Sequence, residues 1–215
     1  MATTNLQSTI FTQYVEHCLT SGNKPTSVYQ FCKNAELDET EFYQHFGSLD
    51  AIESALWESF YTNTQSLLEK DKAYAAASRK DQLLSFYYTF FEVLLLNRSY
   101  VLFALQGQQH LLSKLTPLKG LRTAFKEYAT GLIEAGNDER SRWSQHPATL
   151  FSEAAWVQFL FLLKFWIDDR SKGFEKTDAA IEKSVHTAFA IFDNASLDTL
   201  VDFGKFIWKE KISTH

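Results

Sequence analysis

The residues of this chain that could ligate a metal or shuttle a proton are its six histidines, its two cysteines and its carboxylates. Their spacing supports neither chemistry. His17, His45, His110, His146, His186 and His215 form no pair four apart, and none stands at ligand spacing from a cysteine. Cys18 and Cys32 fall on different predicted helices and make no disulfide framework; small buried thiols in a reducing cytoplasm are the expectation. Asp168 and Asp169 sit at a predicted helix end, where negative charge opposes the helix dipole. A surface pairing of theirs with Arg170 or Lys172 would be worth little. No glycine-rich phosphate loop and no nucleophile elbow is present. The chain is expected to be no enzyme and to need neither metal nor cofactor.

What remains is a run of hydrogen-bonding side chains carried on short helices, residues 26–58. Thr26 or Ser27 can cap a first helix by accepting a bond from an otherwise unpaired amide. Val28, Phe31, Cys32 and Ala35 then recur on one helical face. Leu37 is the apolar residue of the turn. Asp38 is a good N-cap, with Glu41 completing a capping-box-like pair. Phe42 and Phe46 lie four apart and should pack under the first helix. Ser48 caps a longer helix with Ala51, Ile52, Ala55, Leu56 and Ser59 inward. Two short helices joined by a tight turn make a helix-turn-helix.

The stretch resembles the DNA-binding segment of the tetracycline-repressor (TetR) family. The resemblance rests on Thr26-Ser27-Val28, Cys32 as the small residue at the helix crossing, Ala35, Leu37, Phe42-Tyr43, His45-Phe46 and Ser48, and it covers roughly 45 residues with the preceding helix included. It implies that Tyr43 and His45 touch phosphates and that Thr40 and Gln44 lie near base edges, with Thr26 and Ser27 in the same interface. It also implies an all-α fold, with a helix-turn-helix domain at 1–48 and a helical ligand-binding and dimerisation domain at 49–215.

Several positions depart from that pattern. Glu36 replaces the turn glycine, so the turn must form without easy access to positive φ. Glu39, Thr40 and Glu41 replace a basic, small, polar surface, and Leu49 replaces a phosphate-side lysine. Residues 1–60 hold two basic side chains (Lys24, Lys33) and eight acidic ones (Glu16, Glu36, Asp38, Glu39, Glu41, Asp50, Glu53, Glu58), a net of −6. The whole chain is −5, which leaves +1 for the rest. DNA affinity comes largely from cations that displace counterions. Two readings therefore stand side by side. One is a ligand-responsive regulator that binds DNA as a dimer. The other is a protein of the same fold that has lost DNA and carries an apolar or lipid ligand, as ubiquinone-biosynthesis lipid-binding proteins of similar fold do.

The remaining elements must hold this module and supply the body. Hydrophobic residues make up 45% of the chain and aromatic ones 15%, against three prolines and eight glycines, which favours long helices around a sizeable core. Helices are predicted at 5–21, 27–34, 38–45, 48–70, 80–97, 99–113, 117–135, 147–169, 175–193 and 196–210, with 71–78 a turn or helical continuation and 136–142 a polar loop. The segment 80–97 is apolar nearly all round, which calls for burial on more than one side. Phe86, Tyr87, Tyr88, Phe90 and Phe91, with Tyr100, Phe103 and Trp156, either line an apolar cavity between helices or fill a core. In the family such a body holds the effector pocket. The two long apolar helices at 147–193 present more greasy surface than one partner covers, which marks an interface. The family dimerises through two such helices per subunit, which points to Phe159, Leu160, Leu163, Trp166, Ile181, Val185 and Phe189 in a homodimer. The longest apolar run, 154–167, is broken by Gln158 and Lys164 and is short for a bilayer. The N-terminus lacks the pattern of a signal peptide. A cytoplasmic protein without a membrane partner is expected.

Overall fold

The computed structural model describes residues 2–105, 116–138 and 148–194. Among them every regular element is helical: α1 (Ala2–Ser21), α2 (Val28–Asn34), α3 (Glu39–His45), α4 (Leu49–Leu68), α5 (Lys72–Ala76), α6 (Arg79–Leu96), α7 (Arg98–Ala104), α8 (Lys119–Asp138), α9 (Ala148–Asp168) and α10 (Glu175–Asn194). Short 3-10 turns at Thr116–Leu118 and Lys172–Phe174 lead into α8 and α10. α8 runs through Gly136 and Asn137 to Asp138, so the first three residues of the expected polar loop are helical. The segment after Asp71 is a separate short helix. The predicted helix at 196–210, the end of 99–113 and the loop at 139–142 lie outside the described residues.

The chain forms two compact units, Met1–Lys72 with Phe86–Phe125, and Ala73–Ser85 with Lys126–His215. The boundary expected at residue 48 does not coincide with this division. The physical reason lies in α1, which packs on both α4 and α7. Ile10, Tyr14 and Cys18 bury one face of α1. The Tyr14 ring meets Phe31 of α2 edge-on at 6.1 Å and Tyr100 of α7 edge-on at 6.5 Å. The first three helices therefore share a core with later ones.

In the first unit α6 and the start of α8 complete that core with stacked and edge-on rings. Phe86 lies 5.7 Å from Phe90 in near-parallel stacking and 5.4 Å from Phe125. Tyr61 of α4 closes on Phe86 at 5.9 Å. The Glu58 carboxylate rests against the first turn of α8 at Gly120, where a Cβ would fall 1.7 Å from its Oε1 and would make that flexible side chain swing aside.

The second unit is built on α9 and α10. Phe159, Leu162, Leu163 and Trp166 of α9, with Ile181 and Val185 of α10, are buried together. Gln158 donates to the Ser184 hydroxyl at 3.0 Å across the pair. Lys126 and Glu153 pair at 2.5 Å and tie α8 to α9. By length and composition α9 is a helix that could cross a membrane. Seven of its residues are nevertheless buried inside this unit. Asp168 pairs with Lys164 one turn back. Asp169 turns away to hold the next helix, accepting from the amide and hydroxyl of Ser171 and of Thr177 at 2.7–2.9 Å. Burial alone would raise its pKa, but these bonds to the charged form outweigh it and hold the carboxyl at about 2.

Candidate functional site

Three side-chain caps set up the helix-turn-helix. The Ser27 hydroxyl accepts from the Gln30 amide at 3.2 Å and starts α2. Thr26, the other cap candidate, instead donates its hydroxyl to the Gln30 side chain at 3.0 Å. Asp38 accepts from the amides of Thr40 and Glu41 at 2.8 and 3.0 Å and starts α3. Those bonds hold its carboxyl below the usual range. Ser48 accepts from the Ala51 amide at 3.2 Å and starts α4.

The turn between α2 and α3 forms without glycine. Glu36 takes the left-handed conformation itself, with φ +54°. The Leu37 amide then reaches back to the Cys32 carbonyl at 2.9 Å, the long bond of a Schellman motif. The capped geometry is thus kept at the cost of a strained residue, on the order of 1 kcal/mol.

Packing fixes which face of α3 is left outward. Phe42 is 1% exposed and its ring stands edge-on to Phe31 at 6.1 Å. Phe46 closes the layer, 6.1 Å from Phe42 and 5.7 Å from Phe11. With that side sealed, Thr40, Glu41, Tyr43 and Gln44 are exposed, and Glu39 and His45 are half-buried. Tyr43 is 52% exposed. Thr26 and Ser27 are exposed at the start of α2. The sequence reading missed Tyr29, which is 63% exposed on α2. It lies one residue off the Val28–Phe31–Cys32–Ala35 stripe, and that offset was a legible signal that it points outward.

The expected pocket residues are packed ring on ring. Phe86, Tyr87, Phe90, Phe91 and Tyr100 are buried in the first unit, and Phe103 is half-buried there. Trp156 belongs to the second unit, where it stacks on Phe159 at 5.0 Å. A groove of about 550 Å³ lies elsewhere, at the end of α9, lined by Phe161, Lys164, Phe165, Asp168, Arg170 and Lys176 among others.

The residues expected at the interface lie on α9 and α10. Phe159, Leu160, Leu163, Trp166, Ile181 and Val185 are buried within the second unit, and Phe189 is half-buried. They face the chain's own helices because α9 and α10 pack on each other. The apolar residues that α9 leaves exposed are Leu150, Val157 at 65% and Phe161 at 55%, with Ile191 at 50% on α10.

A capped helix-turn-helix followed by a body of long helices defines a class, the all-α regulators of two-part architecture. The family model described as "Tetracyclin repressor-like, C-terminal domain" matches residues 82–207, more than half of the chain. The chain belongs to the TetR family. Among solved structures it is similar to a protein of Syntrophomonas wolfei provisionally assigned to the TetR-family transcriptional regulators. The two share 17% identity and a TM-score of 0.65, over 84% of this chain and 93% of that one. No curated protein matches the chain.

Proposed function

We propose that this chain is a ligand-responsive transcriptional regulator of the cytoplasm that binds DNA as a homodimer. The observation that carries the reading is the helix-turn-helix itself: Phe42 is sealed inward while Thr40, Tyr43 and Gln44 stand outward on the helix that would enter the major groove. In this reading Tyr43 and His45 hydrogen-bond phosphates, and Thr40 and Gln44 meet base edges, with the capped start of α2 at Thr26 and Ser27 beside the backbone. Glu39 and Glu41 add specificity, since a carboxylate accepts from the cytosine amino group. The exposed apolar residues of α9 and α10 seat the second protomer. The ligand is small and apolar or aromatic, held among the rings of the helical body.

Selection from a random DNA pool with purified full-length protein, at low and at moderate salt, tests the reading. A palindromic site with two half-sites should be enriched. Its salt dependence should be shallow, because few cations stand on this face to release counterions. A triple variant, Glu39→Lys, Glu41→Thr and Leu49→Lys, should bind nonspecific DNA more tightly than the wild type. No enriched site for the wild type, together with no low-salt binding by the triple variant, would overturn the reading.

A further inference from the structure

Glu53 is a carboxylate in a place meant for an apolar residue. It lies on the inward face of α4 beside Ile52 and Leu56 and is 4% exposed. One of its oxygens, Oε1, does all the visible work. It accepts from the Tyr14 hydroxyl of α1 at 3.1 Å and pairs with Lys24, from the turn before α2, at 2.5 Å. Glu53 thereby ties α4 to the first helix and to the approach to the helix-turn-helix.

Next to Tyr14 lies Tyr100 of α7. It is 1% exposed, and its ring stands edge-on to Tyr14 at 6.5 Å. Its hydroxyl is buried with no hydrogen-bond partner among the described residues. Folded proteins rarely leave such a donor unmatched. Burial, and then the negative charge of Glu53, push its pKa up, so the group remains a donor within electrostatic reach of that carboxylate. One of two neighbouring tyrosine donors thus bonds the carboxylate, and the other, under the influence of the same charge, is unsatisfied.

We propose that Glu53 is a two-position latch. It holds Tyr14 in the arrangement described and takes Tyr100 in a second one, so that a displacement of α7 loosens α1 and the turn at Lys24. The latch rests on the reading of the chain as a regulator, for it gives the helix-turn-helix two states to be regulated between. A ligand that favoured one position over the other would shift the balance by its differential affinity alone.

The test is relaxation-dispersion NMR on the full-length protein, which reads microsecond-to-millisecond exchange without DNA or ligand. Exchange is expected at the amides around Tyr14, Lys24 and Tyr100. Tyr100→Phe removes only the second position, so it should quench that exchange and leave the urea midpoint unchanged or higher. Tyr14→Phe and Lys24→Met each weaken the first position and should raise the minor population at least tenfold. Lys24 is half exposed, which makes the second variant safe for folding. The proposal fails if neither the wild type nor these two variants exchange. It fails equally if Tyr100→Phe leaves exchange intact, or destabilises as Tyr14→Phe does, since the Tyr100 hydroxyl would then be a structural contact. These outcomes are independent of the DNA selection, so either idea can fall while the other stands.

Discussion

If the proposed homodimer forms through α9, replacing Phe161 by alanine should split it without harming the fold. Along α9 the outward positions Leu150, Ala154, Val157, Phe161, Lys164 and Asp168 alternate spacings of four and three, the a/d rhythm of a coiled-coil seam. Phe161 is 55% exposed in the single chain. A phenylalanine carries roughly 200 Å² of surface, so on the order of 100 Å² is left for a partner to cover. At about 25 cal/mol per Å² that is ~2.5 kcal/mol per protomer, and about 5 kcal/mol for the symmetric pair. Since each 1.4 kcal/mol is a factor of ten, the dimer Kd should rise by about three to four decades. Sedimentation equilibrium from nanomolar to micromolar protein reads this directly, with circular dichroism as the check on folding. The variant should be a folded monomer at concentrations where the wild type is a dimer. A Phe161→Ala protein that stays dimeric in the same range as the wild type would refute the seam. One that unfolds would show that the side chain belongs to the core.

The inward neighbours should behave in the opposite way. Leu160→Glu with Leu163→Glu puts two charges into the buried side of α9 and should unfold the second unit, seen as lost helicity and aggregation. Glu36→Gly should raise stability by about 1 kcal/mol, read as a higher urea midpoint, because glycine takes the left-handed turn freely; a lower midpoint would mean that the Glu36 side chain contributes a contact. Asp169→Ala strips the start of α10 of four bonds and should cost about 3 kcal/mol at neutral pH. Because the folded pKa of Asp169, about 2, lies below its ordinary 3.8, its contribution is complete above about pH 4 and fades as pH falls towards 2. The variant should lack that part of the wild-type acid limb in urea titrations at successive pH values.

The helix-turn-helix was legible because it is specified by local chemistry. Ser27, Asp38 and Ser48 each cap the helix that follows, as their side-chain oxygens dictate, and the four-residue spacing of Phe42 and Phe46 put both on the inward side, Phe42 against Phe31 of α2 and Phe46 against Phe11 of α1. The inward and outward faces of α9 were harder to separate. Its apolar residues surround the helix, so composition announced an interface but not which side α10 would take. Leu160 and Val157 differ by less than one turn, yet one is sealed by the chain and the other is left exposed at 65%. Only tertiary packing decides that choice.

Electrostatics raise the opposite problem: the sequence shows the charges, and structure decides what they can do. Eight acidic side chains within the first 60 residues suggested a surface hostile to DNA. The structure removes one of them from that surface outright, because Glu53 is internal and neutralised by Lys24. Its place was marked in the sequence, since position 53 falls on the same helical face as Leu49, Leu56 and Phe60. A second, Asp38, is committed to two amides at the start of α3, although it remains exposed. Of the other six, Glu39 and Glu41 stand on α3 and Glu36 in the turn before it. Neutral donors, Thr40, Tyr43 and Gln44, share that helix. Such a surface would read DNA through hydrogen bonds more than through counterion release, and so would depend on base sequence and geometry more than on salt.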